Sequence, residues 1–206
     1  MSPDTSASVV RGENNPTQTI ERRAVLELRA DRQRLVGHAV VFDTRSADLG
    51  GFVEIIRPSA IDRALAPGAD IRALYNHDPG AVLGRTPKTL TLTKDARGLA
   101  FTLDPAPTQA GRDALELVQR GDLTGASFGF RTLKDAWRND AGIVVRELLD
   151  LEIVEISLTP FPSYQQTDVS VAQRALTGFR NNPLIKPISV YSPSSVSWLR
   201  LRERVR

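Results

Sequence analysis

Gly121-Asp122-Leu123-Thr124-Gly125-Ala126-Ser127-Phe128-Gly129-Phe130 is the stretch whose reading decides the fold. It contains Gly125-x-Ser127-x-Gly129, which matches the glycine-serine pattern of a nucleophile elbow, a strand-to-helix turn in α/β-hydrolases. The surrounding order is wrong for that motif. From Thr108 to Arg120, the residues Ala110, Ala114, Leu115, Leu117 and Val118 fall on one helical face, and Gly121 fits a C-terminal cap. A helix therefore precedes the serine. After it, Phe128 and Phe130 alternate as on a strand, with Ser127 on the opposite face beside Gly125 and Gly129. Hydrolases of that class also carry their histidine after the serine, and no histidine follows Ser127. The stretch reads as a core strand with a serine on its open face.

The flanking sequence extends this pattern. Downstream, Leu123–Leu133 is strand-like, Asn139–Gly142 is a hairpin turn, and Ile143–Leu158 is long enough for two consecutive strands or one bent strand. Upstream, Ala24, Leu26 and Leu28 alternate with Arg23, Val25, Glu27 and Arg29, which suggests a strand. Ala30–Arg34 reads as a hairpin turn into the apolar run Leu35–Phe42. Phe52–Ile56 is a short strand. Pro58-Ser59 opens a helix, with Ser59 as cap and Asp62 near the positive end, and Pro67-Gly68 stops it. Ile71–Tyr75 is a strand that delivers the turn Asn76-His77-Asp78-Pro79-Gly80. Two more strands lie on either side of a Lys94–Gly98 turn. Many short strands with two helices imply an α+β fold on an antiparallel sheet or small barrel flanked by helices.

Both ends differ from this middle. Residues 1–20 are polar and read as a disordered arm, and 21–173 read as the folded domain. Residues 174–206 read as a basic, flexible tail whose only acid is Glu203. The 206 residues carry 41% hydrophobic and 25% charged side chains, the balance of a soluble globular protein. No cysteine is present, which excludes disulfides and thiolate metal sites. No apolar run approaches the roughly 18 residues of a membrane span. A net charge of +3, with both signs interspersed, argues against a nucleic-acid partner. With two histidines and no HExxH pair, neither a metal nor a cofactor is expected.

A serine hydroxyl becomes a nucleophile only beside a base. Any histidine base must lie upstream of Ser127, as His38 or His77. His38 sits in an apolar strand, where a packed structural role outweighs a catalytic one. His77 sits in a turn, where side chains are accessible, although alone it reads equally as an ordinary turn residue. For a third group, simple alternation places Leu149, Leu151, Ile153, Glu155 and Ser157 on one strand face. Glu155 is then in line with an apolar stripe, an expensive place for an unpaired carboxylate. A salt bridge to an arginine would explain it as well as a catalytic role would. Asp150 and Glu152 face solvent.

Several motifs together resemble the prohead (capsid maturation) proteases of tailed phages and related gene-transfer particles. They are Gly37–Phe42, Phe52-x-Glu54-x-Ile56-x-Pro58, Leu74-Tyr75-Asn76-His77-Asp78, Val82-Leu83-Gly84-Arg85-Thr86, Gly98-Leu99, the stretch Gly121–Phe130, and Val154-Glu155-Ile156-Ser157-Leu158 followed by Pro160 and Pro162. The resemblance runs from about Leu35 to Val171. It implies a serine endopeptidase with His77 as general base, Ser127 as nucleophile and Glu155 as third member. It implies a fold similar to herpesvirus assemblins, a small β-barrel ringed by helices. Those enzymes use a second histidine after the serine, and here an acid takes that place. The implied substrates are the scaffold segment of the major capsid protein and the protease's own tails. The implied setting is the host cytoplasm, inside the assembling prohead, with homo-oligomers possible. Arg131 is a further candidate near the oxyanion. A non-catalytic capsid-binding or scaffold β-barrel is the competing reading, and a nucleic-acid module using the basic tail is a weaker one.

Overall fold

The computed structural model describes residues 10–13, 20–25, 27–160 and 170–181. The rest of the expected arm and tail, Leu26 and Pro162 lie outside the described residues.

The fold is organised by two long strands, β10 (Gly125–Asp140) and β11 (Ile143–Thr159), paired as an antiparallel hairpin across the turn at Ala141 and Gly142. They are long enough for each free edge to take two shorter strands in tandem. β10 pairs β1 (Val10–Glu13) over 134–137 and β2 (Glu21–Val25) over 126–130. β11 pairs β5 (Val53–Ile56) over 145–148 and β6 (Arg72–Tyr75) over 155–158, both parallel. β7 (Asp78–Arg85) closes the far side against β6. This gives a seven-stranded mixed sheet. A second sheet holds β3 (Leu28–Asp31), β4 (Arg34–Val41), β9 (Gly98–Leu103) and β8 (Leu90–Lys94), in that order.

The α+β class agrees with expectation, but the two sheets do not close into a barrel. Among the described residues no ladder joins them, and the large one ends at β7 and β5 on one side and at β1 and β2 on the other. Two of its pairings are parallel, so it is mixed where an antiparallel sheet was expected. The alternating run Arg22–Arg29 is also not one strand. β2 ends at Val25 in the large sheet, and β3 begins at Leu28 in the small one.

One core fills the space between the sheets. Phe128, Phe130, Ile156 and Leu158 reach it from the large sheet and Leu35, Val40, Leu99 and Phe101 from the small one. Helix α1 (Gln109–Arg120) adds Ala114 and Val118. It begins at Thr108, whose hydroxyl accepts the Gly111 N–H, and ends at Gly121 with φ 81°, a left-handed cap that glycine adopts without steric cost. The helix expected after Pro58 is a 3₁₀ helix, Pro58–Leu65, which buries Ala60, Ile61 and Ala64 and crosses between the parallel strands β5 and β6. Arg57, not Ser59, occupies its cap position, without a side-chain hydrogen bond. A smaller cluster of Leu49, Phe52, Trp137 and Val144 packs against Ala172, Leu176 and Phe179 of helix α2 (Ser170–Arg180). The boundary drawn at 173 thus falls inside a docked helix, and β1 lies within the segment read as an arm.

An ion network pins β2 to this frame. The Arg146 guanidinium is fully buried and donates to Glu21, Glu54, Asp135 and Thr132. Arg23 forms a second bridge to Glu54, at 2.5 and 2.7 Å, and one to Glu21 at 3.2 Å. Burial alone would raise the Glu54 pKa, but Arg23 and Arg146 outweigh it and hold the carboxyl below its ordinary 4.5. That stabilisation is present above about pH 4.5 and is lost as the pH falls through the lowered value. Arg146→Met should cost about 3–5 kcal/mol in urea denaturation at neutral pH, because it strands buried carboxylates. The deficit relative to wild type should narrow on acidification through the glutamate range, where protonation removes the uncompensated charge.

Candidate active site

The β10–β11 register brings the chemistry-bearing residues to one face. Ser127 pairs with Ser157, Gly129 with Glu155 and Phe128 with Ile156. Directly opposite residues point to the same side of a sheet. Ser127, Gly129, Glu155 and Ser157 therefore share one face, and Phe128, Ile156 and Leu158 enter the core on the other.

Simple alternation along β11 fails here. Phe130 pairs with Ile153, not Val154, so Val154 is an extra residue on β11. This β-bulge reverses the facing of the strand. Leu151 and Ile153 lie in the same core as Ile156 and Leu158, while Glu155 and Ser157 face away from it. The grouping of Glu155 with Leu151 and Ile153 is corrected accordingly. The bulge is what keeps the carboxylate out of the apolar interior.

His77 arrives from the next strand. β6 runs parallel to β11 with Leu74 opposite Ser157 and Tyr75 opposite Leu158, and the chain then turns at Asn76 and His77. Both have positive φ, 50° and 61°, which is uncommon for residues other than glycine. Two hydrogen bonds tie this turn to β11: Asn76 N–H to the Leu158 carbonyl at 2.9 Å and His77 N–H to Ser157 Oγ at 3.2 Å. The turn aims the imidazole back at Glu155, with Nδ1 2.7 Å from Oε1.

A carboxylate at that distance is an acceptor, so Nδ1 is the donor in this bond. The Glu155 side chain is 7% exposed and the His77 ring 25%. Oε2 of Glu155 accepts from Ser157 Oγ at 2.5 Å. Arg22 of β2, opposite Gly129, approaches Oε1 to 3.7 Å. Gly129 leaves the room this carboxylate needs, since a Cβ there would lie 2.6 Å from Oε1.

Ser127 lies one strand from this pair and is 3% exposed. Its hydroxyl and the His77 ring are not hydrogen-bonded to each other in this state. Such contacts are commonly long in the unliganded form and tighten around substrate. A cleft of about 500 Å³ opens beside β2, with Ala24, Val25, Phe128 and Ile56 in its lining.

The other candidates have separate fates. His38 bonds Glu27 through Nδ1 and Asp95 through Nε2, both at 2.8 Å, so neither nitrogen is free to act as a base. The hydrogen bond from His38 holds the Asp95 carboxyl below its usual range. Arg131 bridges Glu152, its cross-strand neighbour, at 3.0 Å. Ser157 is the residue that sequence reasoning passed over, although it stands in the Glu155-Ile156-Ser157 motif.

A family model described as caudovirus prohead serine protease matches residues 18–181. No curated protein and no solved structure matches the chain significantly, so the likeness to assemblins finds no support there. The matched span takes in the two long strands, the histidine turn and every residue of the cluster around Glu155. The chain belongs to the caudovirus prohead serine protease family.

Proposed function

We propose that the protein is a serine endopeptidase that cleaves the scaffold segment of the major capsid protein, and its own tails, inside the assembling prohead. The observation that carries this reading is the His77–Glu155 pair, with Nδ1 2.7 Å from Oε1 and Glu155 on the sheet face it shares with Ser127. Family membership supports the choice of peptide bonds in capsid proteins as substrate.

The chemistry follows acyl transfer. Ser127 Oγ attacks the scissile carbonyl carbon while its proton passes to His77 Nε2. The imidazolium is stabilised by the Glu155 carboxylate, then protonates the leaving amine nitrogen as the C–N bond breaks. Water, deprotonated by the same nitrogen, hydrolyses the acyl-enzyme and restores Ser127.

Co-expression with the capsid protein, read by intact mass of the shell subunit, tests the proposal. Ser127→Ala should leave the scaffold segment attached, and a normally shortened shell protein in that variant would refute the assignment. Glu155→Gln should fold normally and lower kcat by on the order of 10⁴-fold, the effect of losing the anion that fixes the histidine tautomer.

Gly129→Ala provides a steric test at a residue with no reactive group. Its Cβ should displace Glu155, so the variant should lose most peptidase activity while its strand content, read by circular dichroism, is unchanged.

A further inference from the structure

We propose that Ser157 is a positioning residue that holds acid and base together, an inference that rests on the peptidase reading above. Its side chain is fully buried, at 0% exposure, on a core-sheet strand where an apolar residue would normally pack. A buried hydroxyl is costly unless it is bonded, and this one is bonded in both directions. It donates to Glu155 Oε2 at 2.5 Å and accepts the His77 backbone N–H at 3.2 Å. One atom thus fixes the carboxylate of the acid and the backbone of the base.

A competitor makes this positioning necessary. Arg22 Nε is buried without a hydrogen-bond partner among the described residues, 3.7 Å from the Glu155 oxygen that receives His77. A buried donor without an acceptor draws any acceptor within reach. With Oε2 anchored by Ser157, Glu155 cannot swing to Arg22. Without that anchor the carboxylate is free to turn, and His77 loses its partner. The left-handed turn at His77 loses one of its two hydrogen bonds to β11 in the same step.

The test is proton NMR of the full chain carrying ¹⁵N-histidine, combined with steady-state kinetics on a capsid-derived peptide. The far-downfield Nδ1–H signal of the His77–Glu155 bond is assigned by its loss in His77→Gln. In Ser157→Ala that signal should vanish or move upfield, with kcat reduced about 10- to 100-fold and KM within about twofold of wild type. Ser157→Thr keeps the hydroxyl and should retain the signal and most of kcat. Adding Arg22→Gln to Ser157→Ala should restore part of the signal.

A folded Ser157→Ala protein with unchanged signal and kcat overturns the proposal. If that variant does not fold, Ser157→Cys replaces it: a partial shift supports positioning, and an unmoved signal overturns it. Continued cleavage by Ser127→Ala would instead refute the peptidase reading while leaving the NMR result interpretable, so the two failures are distinct.

Discussion

The pairing of β10 with β11, with one surplus residue at Val154, is the constraint on which the rest depends. Side chains on a strand alternate strictly, so a carboxylate two residues beyond Ile153 would point into the core. The core cannot take it, because Leu151, Ile153, Ile156 and Leu158 already fill that side. The added residue resets the alternation between Ile153 and Glu155. Apolar side chains stay inside on both sides of the bulge, and the polar pair Glu155 and Ser157 emerges opposite Ser127 and Gly129. Core and site are thus two faces of one ladder, and the bulge at Val154 sets how they meet beside Glu155.

That ladder must also be held in place from outside. Each long strand takes two short partners end to end, and the junctions between tandem partners are weak points in such a sheet. The buried network of Arg146 and Arg23 with Glu21, Glu54 and Asp135 spans β2, β5, β10 and β11 at such a junction. It adds to the β2–β10 ladder a hold made of charges that would each be costly alone. β2 in turn carries Ala24 opposite Ser127 and Arg22 opposite Gly129. The electrostatic network is therefore what presents the outer wall of the site.

Sequence reading reached the elements whose signals are local. The helix from Gln109 was legible because its apolar face and Gly121 agreed, and the histidine turn because it lies in the run Asn76-His77-Asp78-Pro79-Gly80, although the turn is confined to Asn76 and His77 and Asp78 to Gly80 open β7. The phenylalanine alternation placed Ser127 on the open face for the right reason. Three features escaped because they depend on contacts distant in sequence. The bulge at Val154 is visible only once β10 supplies a register. The division of this run between β2 and β3 reflects competition between two sheets for its residues. Arg146 carries no local signal of its burial, because its partners lie up to 125 positions away. Ser157 was hidden for a related reason: a small polar residue in a strand has no pattern of its own until its neighbours across the sheet are known.

The two histidines show how the same chemistry is given different roles by geometry. Each ring has a carboxylate at hydrogen-bond distance from Nδ1, Glu27 for His38 and Glu155 for His77. For His38 the second nitrogen is also taken, by Asp95, whose other oxygen accepts the Arg97 and Gly98 N–H groups of the turn. That ring clamps a turn to a strand and has no lone pair to offer. For His77 the second nitrogen has no such carboxylate. A base needs one nitrogen held and the other free. The left-handed turn supplies this condition: it brings Nδ1 down onto β11, and by the geometry of an imidazole ring it leaves Nε2 directed away from Glu155. Basicity toward a substrate hydroxyl is in this sense a property of the turn's backbone conformation as much as of the histidine itself.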